Sequence, residues 1–263
     1  MKRRAFLLAA ASTAGTALLA PRRSWAAPRP VTEQRFRVVI DPGHGGENAG
    51  CHAHDGSVDE KALTLVMAQR LAERLVAIMP HAEVLLTRER DETLHLNQRV
   101  AFANDCGADL FLSLHCNASP HSDQTGFETF VLDADASSKE AALTAQREND
   151  EGFSRPVGGE DDEVAQMLRE LGMSGNRQQA LRFAKAIQDE QVRRFPERPN
   201  RGVRQAAFDV LKGARMPAVL HEVGFLDHAD EGELLRSEAG QARIVEGLAQ
   251  ATLRYFNEVA RRA

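Results

Sequence analysis

Short apolar runs and longer amphipathic stretches alternate along this chain. Residues 35–41 (RFRVVID) form a run that ends in the turn Pro42-Gly43-His44-Gly45-Gly46, the pattern of a buried strand leading into a tight loop. Residues 59–79 carry Leu63, Val66, Met67, Leu71, Leu75 and Ile78 at spacings of three and four, which predicts a helix with one apolar face. The runs 82–87, 108–116, 125–132 and 217–223 read as further strands, and 93–106 and 237–262 as helices. Strands interleaved with helices predict an α/β fold: a single domain with a mostly parallel twisted sheet flanked by helices.

The pattern changes between residues 133 and 195. No strand is legible there, and three helical pieces are, at 137–149, 161–171 and 174–195. A turn-rich stretch, Gly152-Phe153-Ser154-Arg155-Pro156-Val157-Gly158-Gly159, separates the first two. Glu160, Asp161, Asp162 and Glu163 then open the second helix, where acids suit its dipole. The segment reads as a helical insertion, at about 136–195, on a domain spanning 36–263.

The N-terminus belongs to targeting rather than fold. Met1-Lys2-Arg3-Arg4 is a basic head, Ala5 to Ala20 is apolar, and Ser24-Trp25-Ala26 is a small-x-small cleavage site. Arg3-Arg4-Ala5-Phe6-Leu7 resembles a twin-arginine export signal, so residues 1–26 read as a signal peptide and 27–35 as a short linker. The expected location is the periplasm, with no stable membrane insertion after cleavage. Removing Lys2, Arg3, Arg4, Arg22 and Arg23 takes the formal charge from −5 to about −10. An acidic chain with its charges mixed along its length excludes a nucleic-acid binder, which presents a basic face. With 43% hydrophobic residues in periodic segments, disorder is excluded as the main state. Cys51, Cys106 and Cys116 are odd in number and read as free thiols.

In α/β sheets ligands gather where strands end and helices begin. Four residues fall at such places: His44 after the first strand, Glu60 at the start of the first long helix, and His115 and Glu222 at the ends of two later strands. Two imidazoles and two carboxylates suit a zinc site with three protein ligands and a fourth residue as general base. Each has a structural alternative. A strand-end histidine is often a hydrogen-bonded core residue, and Glu60 fits a first-turn acid. Glu222 lies inside an apolar strand, where an unpaired carboxylate is costly. His52 and His54 read as solvated loop residues. His221 alternates with Glu222 and should face the other side of the sheet.

Ile40 to Gly46, Glu60-Lys61, Ser113-Leu114-His115-Cys116-Asn117 and Glu222-Val223-Gly224-Phe225 together resemble the signature of zinc-dependent N-acetylmuramoyl-L-alanine amidases, cell-wall enzymes of the cell-separation type. Leu86-Thr87-Arg88, Arg99, Glu148-Asn149 and Phe208 to Leu211 add to it. The resemblance implies one Zn²⁺ held by His44, Glu60 and His115, with Glu222 as the catalytic carboxylate. It implies hydrolysis of the amide between N-acetylmuramic acid and L-alanine in peptidoglycan, with Arg88, Asn117 and Asp41 in supporting positions. Cys116 and Val223 depart mildly from the family pattern. In such amidases an inserted helix can cover the site until an activator protein displaces it. The matching segment here is 160–173, with Glu160 or Glu163 reaching the metal and Val164, Met167, Leu168 and Leu171 docking the helix. The chain is expected to act as a monomer. The alternatives are a zinc peptidase acting within cell-wall peptides and a catalytically silent wall-binding protein.

Overall fold

Strand β1 spans Arg37–Pro42, β2 Glu83–Leu86, β3 Leu110–Asn117, β4 Phe127–Leu132, β5 Asn200–Ala206 and β6 Ala218–Phe225. Helices α1 (Glu60–Ile78), α2 (Leu96–Asp105), α3 (Lys139–Asn149), α4 (Glu163–Arg194), α5 (Ala229–Arg236) and α6 (Glu238–Ala260) connect and flank them. The computed structural model describes residues 35–150 and 163–260. The strands form one sheet in the order β2-β1-β3-β6-β4-β5. All neighbours are parallel except β4 and β6, which are antiparallel, so the sheet is mixed.

Strand β3 shows why the sheet sits at the centre. All eight of its residues are buried. Leu110, Leu112, Leu114 and Cys116 join the core beneath α1, α4 and α6, while Phe111 joins the second core beneath α2 and α3. Helix α1 buries Leu63, Met67, Leu71 and Leu75 on the predicted stripe, although Val66 stays 36% exposed at its margin. The two edge strands are the polar ones. β2 has only four residues, and β5 (NRGVRQA) carries two arginines.

Two sequence readings are corrected here. The stretch 136–195 is not an appendage on the domain: α3 and α4 form the crossover between parallel neighbours β4 and β5. Ala180, Phe183, Ala184 and Ile187 of α4 are buried in the core. The pieces read separately as 161–171 and 174–195 are one helix, α4, which runs through Gly172 and Gly175. A helical glycine costs about 1 kcal/mol, less than burial of Phe183 and Ile187 returns. Strand β5 and helix α5 were not legible in the apolar pattern. The expected signal peptide at 1–26 lies outside the described residues, as do Glu160 and the side chains of Glu163, Val164, Met167, Leu168 and Leu171.

Candidate metal centre

Because β4 and β5 run against the other strands, the carboxyl ends of β1, β3 and β6 meet the amino ends of β4 and β5 at one edge of the sheet. The turn after β1 is forced by its glycines. His44 (φ 60°), Gly45 (φ 124°) and Gly46 (φ 60°) are consecutive left-handed residues, a conformation that costs a histidine energy and is retained where the surroundings fix it. Arg88 and Arg99 do that fixing. Arg88 donates to the carbonyls of Pro42 (3.0 Å) and Gly43 (2.8 Å), and Arg99 to those of Pro42 (2.9 Å) and His44 (2.8 Å). Arg99 also pairs with Asp41 at 2.9 Å, and Asp41 accepts from Ser113 Oγ at 2.7 Å. Burial alone would raise the Asp41 carboxyl, but Arg99 and these donors hold it below its ordinary value.

His44, Glu60 and His115 converge as the sequence predicts, and Glu148 joins them from the last turn of α3. One ligating atom from each of the four lies within 4.8 Å of the others, and all four residues are buried. His44 Nε2 is 2.9 Å from Glu60 Oε1 and 3.3 Å from Glu148 Oε2. His115 Nδ1 is 3.2 Å from Glu60 Oε1 and 2.9 Å from Glu148 Oε2. The outer atoms are anchored. Asn48 Oδ1 accepts the amide of Gly50 (2.9 Å) and so presents an acceptor to His44 Nδ1 (3.1 Å), which leaves Nε2 for the centre. Glu60 accepts the amides of Cys51 (2.9 Å) and Cys116 (2.7 Å). Glycines make room for the rings: a Cβ on Gly43 would sit 2.4 Å from His115, and one on Gly50 2.6 Å from both Glu60 and His44.

The electrostatics match a cation site. Burial disfavours charge on His115, yet the carboxylates of Glu148 and Glu60 push its pKa up to about 10. Burial also works against ionised Glu60 and Glu148, yet the histidines hold both carboxyls below their ordinary range. Two nitrogens and two carboxylate oxygens at this separation make a donor set that fits a divalent metal, and zinc accepts both types.

Glu222, at 0% exposure, stands beside this group from β6. Neither of its oxygens finds a hydrogen bond among the described residues. Its ion-pair partner among the described residues is Arg147, at 3.9 Å, and burial together with the Glu148 charge pushes its carboxyl well above the ordinary value. A buried carboxyl with free lone pairs and a raised pKa is suited to carrying a proton near neutral pH. His221 does face away from it, bonding Thr129 Oγ1 and the Glu128 carbonyl at 3.0 Å each. His52 and His54 lie outside the group on exposed loops.

Glu148 is the residue that pattern reasoning missed. It matched the family signature without a role, because helical periodicity does not reveal what the end of a helix docks against. Arg147 holds it in place, donating to Glu148 Oε1 (3.0 Å), the Ala118 carbonyl (2.7 Å) and Asn117 Oδ1 (2.9 Å). Asn149, next in the chain, bonds the Ala207 carbonyl and the Asp209 amide at 2.8 Å each, tying α3 to the turn before β6.

A family model described as N-acetylmuramoyl-L-alanine amidase matches residues 38–254. The N-acetylmuramoyl-L-alanine amidase AmiA of Escherichia coli (strain K12) is 31% identical over 223 residues, covering 84% of this chain and 76% of AmiA. The catalytic domain of CwlV, an N-acetylmuramoyl-L-alanine amidase from Bacillus (Paenibacillus) polymyxa var. colistinus, superimposes with a TM-score of 0.62 at 29% identity, covering 84% of this chain and 97% of that one. The CwlD amidase from Clostridioides difficile, solved in complex with the GerS lipoprotein, gives a TM-score of 0.61 at 25% identity, covering 84% and 98%. With the family model running from β1 into α6 and the site residues converging inside it, the chain belongs to the N-acetylmuramoyl-L-alanine amidase family.

Proposed function

We propose that this protein is a zinc-dependent peptidoglycan amidase that hydrolyses the bond between the lactyl group of N-acetylmuramic acid and L-alanine. The observation that carries this reading is the convergence of His44, Glu60, His115 and Glu148 beside the unpaired carboxyl of Glu222. His44, Glu60 and His115 are the permanent ligands. Zinc held there supplies a Lewis acid for the scissile carbonyl and lowers the pKa of a water to about 7. Glu222 accepts the proton of the attacking water and returns it to the departing L-alanine amine. Arg147 and the amides of Cys51 and Cys116 that hold Glu60 keep these groups oriented as charge moves.

Glu148 would supply a fourth ligand, in the place a catalytic zinc site must open to water. In this reading the described conformation is the closed one. Opening requires α3 to withdraw, driven by a partner protein that prefers the withdrawn form. The segment read as inhibitory, 160–173, follows α3 in the chain, and from Glu163 it belongs to α4, whose later half stays in the core. Export through the twin-arginine route to the periplasm suits this activity, as does a role in wall remodelling and daughter-cell separation. Among the described residues no helix is long and apolar enough to cross a membrane.

The test is digestion of purified peptidoglycan with the zinc-loaded protein, with products read by mass spectrometry. Release of intact stem peptides is expected, abolished by a chelator and lowered about 10²–10⁴-fold by Glu222→Gln. Cleavage inside the stem would establish a peptidase instead.

A further inference from the structure

Beyond the metal centre, the same sheet edge carries a second cluster of charge. β5 is parallel to β4, but its register slips between Phe127 and Glu128: Phe127 pairs with Asn200 and Glu128 with Gly202. Arg201 is the extra residue, and a bulge of this kind re-aims a side chain. As a result both Arg201 and Arg204 reach Glu128, with Nε at 3.3 Å and 2.7 Å from its Oε2. Glu128 is itself buried and accepts from Asn117 Nδ2 at 2.6 Å. Arg201 also donates through Nη2 to Gln124 (2.9 Å) and lies over the Phe225 ring, and Arg204 donates through Nη1 to Ser138 Oγ (2.9 Å). Exposed Glu140 influences both arginines electrostatically but is not ion-paired with either.

Two guanidiniums therefore share one contacting carboxylate. Nη1 of Arg201 and Nη2 of Arg204 are not engaged by any of these bonds. Side-chain exposures of 18% and 21%, against 3% for Glu128, leave the arginines open on one side only. That is more cation than Glu128 needs, in the fork geometry that matches a carboxylate. The cluster also connects to the reacting groups. Glu128 is directly opposite Glu222 across the β4–β6 pairing, and Asn117 bridges Glu128 to Arg147.

Resting on the amidase reading above, we propose that Arg201 and Arg204 form a subsite for a free carboxylate on the peptide side of the scissile bond. β5 lies two strands from β6, roughly 10 Å at the usual strand spacing. An extended peptide advances about 3.5 Å per residue, so a carboxylate two or three residues beyond the cleaved amide reaches the pair. The second stem residue, a glutamate joined through its side-chain carboxyl, has its α-carboxylate free at that distance. In some walls this group is amidated. The sugar side of the bond, N-acetylated and joined through a lactyl amide, offers no such charge.

The experiment compares two synthetic muramoyl peptides that differ only in carboxylate against carboxamide at that glutamate. Hydrolysis is measured by kcat and KM, and equilibrium binding by calorimetry, with zinc-loaded protein. The carboxamide is expected to lose about tenfold or more in kcat/KM, through KM, and a similar factor in Kd. Arg201→Gln and Arg204→Gln each leave Glu128 one guanidinium, which protects the fold. Each should shrink the carboxylate-to-carboxamide ratio of kcat/KM, and of binding, towards one. Equal Kd and kcat/KM for the two substrates on the wild-type protein would overturn the subsite. No hydrolysis of either by the wild type or by Glu148→Ala, with the Kd preference retained, would overturn the amidase reading and keep the subsite. No binding of either would overturn both.

Discussion

At Glu148 one side chain, in the proposed reading, would decide whether the metal centre is open. The residue is buried, its Oε2 lies 3.3 Å from His44 and 2.9 Å from His115, and Arg147 clamps its other oxygen. Three ligands remain without it, enough to hold a catalytic zinc. Glu148→Ala should therefore raise basal amidase activity, on the order of tenfold if the closed form outnumbers the open one by ten to one. It should also weaken zinc retention, read by metal content after dialysis against a chelator series. Lower activity at full zinc occupancy would make Glu148 a working ligand rather than a closing one. Glu222 differs in kind. Its oxygens have no hydrogen bond to lose among the described residues, so its replacement should alter turnover with little change in zinc content or melting temperature.

At the scale of elements, α4 separates what belongs to the fold from what attaches to it. Its second half packs Phe183, at 0% exposure, into the core shared with α6, and the ring lies 5.3 Å from Tyr255. Phe183→Ala should destabilise the protein by about 3–5 kcal/mol in denaturant unfolding. A change below 1 kcal/mol would restore the reading of 136–195 as an insertion. Sequence patterns were legible for elements whose burial is one-sided or complete, such as α1 and β3, because their apolar periods report the layer they face. They were silent on β5, since an edge strand can be polar, and on α5, an eight-residue helix whose polar first turn masks its apolar contacts. In the site, His44, Glu60, His115 and Glu222 were readable because each sits at a strand end or helix start. Glu148 and Arg201 were not, since one depends on where a helix end docks and the other on a bulge.

The molecule as a whole carries a pH dependence at the β4–β6 junction, the single antiparallel seam of the described sheet. His221 is fully buried there. Burial is the largest influence on it and Arg198 adds to the effect, so its pKa falls to about 3 even though the Glu128 carbonyl pulls the other way. Its Nε2 has no hydrogen-bond partner among the described residues, so an added proton would gain no acceptor. Unfolded, the same imidazole titrates near 6.5. Between these values the unfolded chain binds the proton and the folded chain does not. Stability from this group is therefore complete above about pH 6.5 and is lost as pH falls towards 3, at up to about 1.4 kcal/mol per unit. His115, Glu60, Glu148 and Asp41 are shifted as well, so the informative quantity is the difference between wild type and His221→Gln, which share those groups. In urea unfolding at pH 7, 6 and 5 the wild type should lose about 1 kcal/mol more than the variant between pH 6 and 5. Parallel losses in the two proteins would show that His221 is solvated or already charged in the native fold. The seam that pays this acid cost holds Glu222 on one strand and Glu128 on the other. Acid should therefore loosen the strand carrying the proposed proton-transfer group together with the one carrying Glu128, the carboxylate that anchors the proposed subsite.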